Sequence, residues 1–538
     1  MTTSTQPAFL PADTSYDLVD TTVGGLLAQQ AAAHPDRLAL VGTSISGQSV
    51  RLTYRELYDE ACRVASGLSR IASPGDHVAL WSPNHVEWPI IEYGAALAGV
   101  TLVALNPAFR RAELEYTVAH SGSTVLLHAE RVGDDDLAAI AHGLGADFPG
   151  LRVVSLTDRS AWRADEIDET VIANAPTDPD SPVMLQYTSG TTGRPKGVLL
   201  KHRSLVNVAR MTMAFVEVPE AAVCVNPLPM FHTAACVIGT LGPCSIGGTQ
   251  VLIEKFAPTP VLQTMRTENA DVLFYVPAVL GALLEVQRTS DLEPPQLHTV
   301  MGGASNVPAS MIEAAERVFG ASVINLFGQT ELAPVLSATR PGDTRDDQLA
   351  TVGHPLPQVD VKIVDPMTGD VVGLGQPGEI CARGYQQLIE YLHDPEATSR
   401  AVDREGYLHT GDLGSMDERG YITLTGRLKE LIIRGGENIA PTEIETALAA
   451  HDAVLAATVV GLPDERLGEI VGVVLTLRGE EPIDLRAQLE TFLRERLARF
   501  KIPSRWFVSD GLPITPTGKV RKFKVIDHVI DGTYRELV

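Results

Sequence analysis

The sequence predicts an α/β protein: a large N-terminal domain of layered sheets and helices that includes a β-rich subdomain, then a small α+β C-terminal domain. Three observations carry this. Short β-branched stretches alternate with Ala- and Leu-rich ones as far as about residue 340, the pattern of largely parallel sheets layered with helices. From Val361 to Thr425 the texture changes to short strands broken by Gly, Pro and Asp turns (IVDPMTGDVVG, PGEICARG, ERGYITLTG). Beyond Gly426 a helix opened by Pro441 (PTEIETALAAH) precedes strand-like LAATVVG and IVGVVLTL and the helical run LRAQLETFLRERLARF.

These shifts place a boundary near Gly426, dividing the chain into a domain over 1–426 and a small C-terminal domain. Residues 1 to about 20 read as a loose tail. Within Pro89 to Phe109, Glu92, Gly94, Gly99, Asn106 and Pro107 interrupt the apolar stretches, which are too short to span a bilayer, so a buried helix and then a buried strand are expected.

Composition narrows the function. The 538 residues are 44% hydrophobic, 20% charged and 5% aromatic, as in a globular protein with a large core. Lys plus Arg number 43 against 67 Asp plus Glu, a formal charge of −24, which disfavours nucleic acid or an anionic membrane as partner. A phosphate must therefore be held locally. Five cysteines without a Cys-x-x-Cys pair fit reduced thiols rather than zinc or disulfides. The start, MTTSTQPAFLPADTS, lacks a basic segment followed by an apolar one, so a cytoplasmic protein is expected.

The strongest motif is YTSGTTGRPKG, Tyr187 to Gly197, after the apolar stretch VMLQ. Its glycines (Gly190 and Gly193 among them) let backbone approach an anion; Thr188, Ser189, Thr191 and Thr192 offer hydroxyls, and Lys196 offers charge, a set suited to polyphosphate. It is not a Walker loop, because no Gly-Lys-Ser/Thr ending is present. Further along come PLPMFHTAA, MGGAS, NLFGQTE, GYLHTGD, GRLKELIIRGGENIAPTEIE and LPITPTGKVRK. In GYLHTGD, a carboxylate such as Asp412 has the two acceptor oxygens needed for a pair of ribose hydroxyls.

Taken in this order, the motifs resemble those of the AMP-forming adenylating superfamily of acyl-CoA synthetases, luciferases and adenylation domains, over nearly the whole chain. Among its branches the sequence looks closest to medium-chain fatty acyl-CoA ligases. The resemblance implies ATP and Mg2+ as cofactors, coenzyme A as co-substrate, and a small-molecule carboxylic acid as substrate. It implies that Phe231 and His232 lie beside the carboxylate and acyl group, and that Gly302, Gly303 and Ala304 line the adenine. Phe327 would stack on the base, Thr330 would contact phosphate or the adenylate, and Glu331 with Thr192 would hold the metal. Asp412 would take the ribose and Arg427 the ribose or a phosphate, Lys429 would lie in a hinge over 427–429 between residues 1–426 and a mobile lid domain over 430–538, and Gly435 and Gly436 would flank the thiol tunnel.

Lys519 corresponds to the mobile catalytic lysine. Ala235, Val276, Gly302, Gly328 and Leu332 are candidates for the acyl pocket; acetate-activating relatives carry Trp where Gly328 stands, so a longer or wider hydrophobic acid is implied, medium-chain or aryl. Three other outcomes stay open: acyl transfer to a carrier protein, activation of another oxyanion such as nitrite for reaction with an amine, and a catalytically silent adenylate-binding protein. Oligomeric state is not readable.

Overall fold

The computed structural model describes residues 6–188, 195–303, 307–434, 437–464, 466–514 and 520–537. The chain forms two compact units, one of Leu10–Val361 with Ala382–Leu408, the other of Met1–Phe9, Lys362–Cys381 and His409–Val538.

The first unit is built on two large sheets. In the nine-stranded sheet six strands run parallel in the order Ser322–Phe327, Thr299–Gly303, Val272–Tyr275, Val223–Asn226, Thr249–Leu252, Leu38–Thr43, with antiparallel strands at both edges. Strands buried on both faces read as continuous apolar runs such as VLFY, because helices cover them. Val261, Leu262, Leu280, Leu283, Ile312 and Phe319 of three such helices close on Val225, Leu273, Val300 and Val323 of the sheet.

The second sheet has seven strands, with Thr101–Leu105 parallel to Pro182–Thr188, which turns back antiparallel as Lys196–Lys201 and then meets Glu390–Tyr391. Helix Glu87–Ala98 and strand Thr101–Leu105 are buried along their whole lengths, the helix and strand anticipated for that segment. Among the described residues no helix is long and apolar enough to cross a membrane.

The other unit contains most of a five-stranded sheet, ordered Phe9–Leu10, Val359–Val364, Gly378–Gly384, Leu408–Met416, Ile422–Arg427. It also holds a six-stranded sheet around the long hairpin Val454–Asp464 and Gly468–Leu477. Helix Pro441–Ala449 begins with its proline in the first turn, as anticipated, and Ile444 and Leu448 join Val459, Val473, Leu489 and Trp506 in the core.

The loose-tail expectation fails for residues 6–20. Phe9–Leu10 is a strand, Ala8 is buried and its N–H donates to the Val372 carbonyl at 2.8 Å, and the Val19 N–H donates to Asn207 Oδ1 at 2.8 Å. Backbone bonds to a sheet edge need no hydrophobic periodicity, so the segment carried no signal of its order.

Candidate active site

In parallel α/β sheets, ligands gather outside the carboxyl ends of the strands. Four neighbouring ends of the nine-stranded sheet carry predicted site residues. Val223–Asn226 leads into the turn bearing Phe231 and His232, Val272–Tyr275 ends at Val276, Thr299–Gly303 ends in Gly302 and Gly303, and Ser322–Phe327 runs into Gly328. Register aligns them: Gly302 lies opposite Tyr275 on one side and Asn325 on the other, and Gly303 opposite Leu326. Parallel pairing thus joins segments that are widely separated in the sequence.

The His232 carbonyl accepts the N–H groups of Ala235 and Cys236 at 2.9 and 3.0 Å, and a π-helix follows over Ala234–Leu241. Such helices are rare and are often found at functional sites. The Phe231 and His232 rings pack at 4.2 Å between centroids. Asn226, buried at its strand end, ties the π-helix to the sheet by donating from Nδ2 to the Ala235 carbonyl at 3.3 Å while Oδ1 accepts the Leu228 N–H at 3.1 Å.

Thr188 and Lys196 face each other as a directly opposed pair in the antiparallel hairpin. Lys196 Nζ sits 4.4 Å from the centre of the Tyr391 ring, and the Tyr391 hydroxyl donates to Glu331 Oε1 at 2.8 Å. Burial first, and then the Glu331 charge, push the phenol pKa far up, so Tyr391 remains a donor. Glu331 lies on the short 3-10 turn Thr330–Leu332, whose Leu332 is buried. Tyr391 was missed in the sequence because it lies far from every motif; only its strand pairing with Val198 brings it to Lys196.

Two of the predicted glycines have a reason beyond room for a ligand. A Cβ on Gly302 would lie 1.9 Å from the Tyr275 carbonyl oxygen, and one on Gly328 would lie 2.1 Å from the Pro334 carbonyl oxygen. Close approach of backbone to backbone therefore requires glycine at both positions.

In the other unit, Asp412 and Arg427 are cross-strand partners in the hairpin of Leu408–Met416 and Ile422–Arg427, with Arg427 Nε 2.8 Å from Asp412 Oδ1. Asp412 is buried and the Arg427 side chain is half exposed. Lys429 lies on the 3-10 turn Leu428–Glu430. Its neighbour Glu430 is bound at 2.8 Å by Lys522, which also reaches Glu445 at 3.0 Å. Burial works against the Lys522 ammonium, but Glu445 and Glu430 together outweigh it and raise its pKa. This links the turn bearing Lys429 to the helix Lys522–Ile530 that follows Lys519.

Ser189, Gly190, Thr191, Thr192, Gly193, Ala304, Gly435, Gly436 and Lys519 lie outside the described residues. Flanking the Lys519 segment, Ile514 and Val520 form an antiparallel bridge.

The family described as AMP-binding enzyme matches residues 27–392, and the AMP-binding enzyme C-terminal domain matches 443–519, so this chain belongs to the AMP-binding enzyme family. Its class is the AMP-forming acyl-CoA synthetase, an acid–thiol ligase. YngI of Bacillus subtilis is 34% identical over 96% of this chain and 98% of its own. The mitochondrial medium-chain acyl-CoA ligase ACSF2 of Rattus norvegicus is 30% identical over 96% and 89%. Among solved structures, ATP-bound MatB from Rhodopseudomonas palustris superposes with a TM-score of 0.82 at 28% identity, covering 95% of this chain and 99% of that one.

Proposed function

We propose that this chain is an ATP-dependent ligase that activates a hydrophobic, uncharged carboxylic acid, medium-chain or aryl, as its adenylate and passes the acyl group to coenzyme A. The reading is supported by the parallel strand ends after which Phe231, His232, Val276 and Gly328 follow, with Gly302 in register between Tyr275 and Asn325, and by the apolar or small character of Val276, Gly302 and Gly328. Buried Ala235 and Leu332 add to that apolar character. The similarity to a medium-chain acyl-CoA ligase supports the same acid class.

In the first half-reaction the acid's carboxylate attacks the α-phosphorus of ATP and pyrophosphate leaves. Two anions must meet, so the protein's work is positioning and charge neutralisation. Thr188 to Gly193 and Lys196 take the β and γ phosphates, Gly303 and Ala304 border the base, Phe327 stacks on it, and Thr330 contacts phosphate or the adenylate. Asp412 holds the ribose, and Arg427 the ribose or a phosphate. Lys519 neutralises charge between carboxylate and α-phosphate, and His232 borders the reacting carboxylate.

Glu331 fits a hard divalent ion: Tyr391 occupies one carboxylate oxygen and orients the other, a ligand of the kind Mg2+ takes, with Thr192 as a second donor. Bound there, Mg2+ would supply charge compensation to the departing pyrophosphate.

In the second half-reaction the thiol of coenzyme A attacks the mixed anhydride and AMP leaves. Residues 1–426 and 430–538 are the moving parts about the hinge 427–429, and Gly435 and Gly436 flank the path of the thiol arm. The five buried, free cysteines support a reducing compartment, the cytoplasm.

The test supplies ATP, Mg2+ and coenzyme A with straight-chain, branched, aromatic and amino acids, and nitrite with an arylamine, and follows AMP and products by mass spectrometry. AMP together with an acyl-CoA from an apolar acid is the expected result. Preference for a charged or amino acid, or AMP without thioester, would sink the proposal.

A further inference from the structure

We infer that Glu379 is a positioning residue for Asp412, acting through the turn His409–Thr410–Gly411 that precedes it. Glu379 and His409 stand on neighbouring strands, Gly378–Gly384 and Leu408–Met416, and Glu379 is 6% exposed. Both of its carboxylate oxygens are engaged by that turn: Oε2 lies 2.8 Å from His409 Nδ1, and Oε1 accepts the Gly411 N–H at 3.0 Å. Thr410 completes the arrangement, donating from Oγ1 to the Ile380 carbonyl at 2.8 Å and accepting the Asp412 N–H at 3.1 Å. Residues 409 to 411 are each bound to Glu379 or Ile380, and Asp412 is bound to the last of these through Thr410.

Gly411 shows why such bracing is needed. Its φ is +71°, and a Cβ there would meet nothing within 4 Å, so glycine serves the backbone conformation rather than space. That left-handed residue points its N–H at Glu379 and sets the direction in which the chain delivers Asp412 to Arg427. A buried carboxyl group whose two oxygens both bind the turn is a strong anchor for it.

Cys381 Sγ lies 3.4 Å from His409 Nδ1, and the donor atoms of Glu379, Cys381 and His409 fall within 4.8 Å of one another. His409 Nδ1 lies within reach of both a Glu379 oxygen and the Cys381 sulfur, so the trio ties the two strands together.

The inference rests on Asp412 binding the ribose, and the experiment separates the two. Pyrophosphate exchange is measured with ATP, 2′-deoxyATP and 3′-deoxyATP for the wild type, Asp412→Asn, Glu379→Gln and Gly411→Ala, with melting temperatures as a check of folding. Gln at 379 cannot accept from both donors with a full charge, and Ala at 411 opposes the left-handed turn.

Both variants are expected to raise the KM for ATP about tenfold and to lose most of the preference for ATP over the deoxy analogues, with kcat within about twofold. If Asp412→Asn loses that preference while the folded Glu379→Gln and Gly411→Ala proteins keep it, the brace is overturned and the ribose reading stands. If Asp412→Asn itself keeps the preference, the ribose reading fails and takes the brace with it. A purely structural role would lower melting temperature without altering nucleotide preference, which also overturns the inference.

Discussion

Tyr391 touches two charged side chains that the proposed first half-reaction uses, packing its ring on Lys196 and donating its hydroxyl to Glu331. Tyr391→Phe keeps the ring and removes one hydrogen bond to a charged group, worth about 1.5–3 kcal/mol. The expected result is a rise of about tenfold or more in the Mg2+ concentration needed for pyrophosphate exchange, with Lys196 packing retained; an unchanged Mg2+ titration would show that Glu331 is oriented otherwise. Lys519 and Lys429 are told apart by half-reaction. Lys519→Ala should abolish adenylate formation and largely spare thioester formation from synthetic acyl-adenylate, whereas Lys429→Pro should do the reverse by hindering the swing. Equal loss in both steps, assayed separately, would overturn the corresponding assignment. These lysines were legible as motif positions; Tyr391 was not, because a cross-strand neighbour leaves no trace in local spacing.

Strand ends and turns decide how closely the backbone approaches at Gly328 and Gly239. The sequence pointed to Gly328 as a marker of an open pocket, and the structure adds that its Cβ would run into the Pro334 carbonyl oxygen. Gly328→Ala is therefore expected to cost about 1–3 kcal/mol of stability by overpacking. It should also depress activity towards short and long acids alike, read by thermal unfolding and an acid-length series. A selective loss of long acids with unchanged melting would instead place the new methyl group in the acyl pocket. The π-helix Ala234–Leu241 was not foreseen: AACVIGTL is an apolar run that an α-helix would accept equally well. Gly239 explains part of its placement, since a Cβ there would meet Asn226 Nδ2 at 2.3 Å, so the helix lies close against the strand end.

At the scale of the whole molecule, the core contains a carboxyl group whose titration couples to global stability. Glu92 is 2% exposed and neither oxygen has a hydrogen-bond partner, and burial raises its pKa well above the ordinary carboxylate range. The folded state holds this proton to higher pH than the unfolded chain does, so the group's contribution is fully present below the unfolded pKa. It falls as pH rises from there towards the folded pKa. Glu92→Gln mimics the protonated form and should flatten that dependence: the melting temperature of the wild type relative to the variant is expected to decline from about pH 4.5 upward. A constant difference across pH would mean that Glu92 stays ionised in the fold.

The sequence by itself determined the fold class, because hydrophobic periodicity and glycine-rich loops are local properties that survive in a linear reading, and the order of its motifs carried the resemblance to the family. It also carried Asp412 and Arg427, which the hairpin places side by side. Only the tertiary structure decided which segments meet within each unit: the register of Tyr275, Gly302 and Asn325 and the meeting of Lys196, Tyr391 and Glu331 in one, and the bracing of residues 409 to 411 by Glu379 and Ile380 in the other. Those pairings join residues far apart in the chain, and they arise from strand order and backbone approach, which no local sequence pattern encodes.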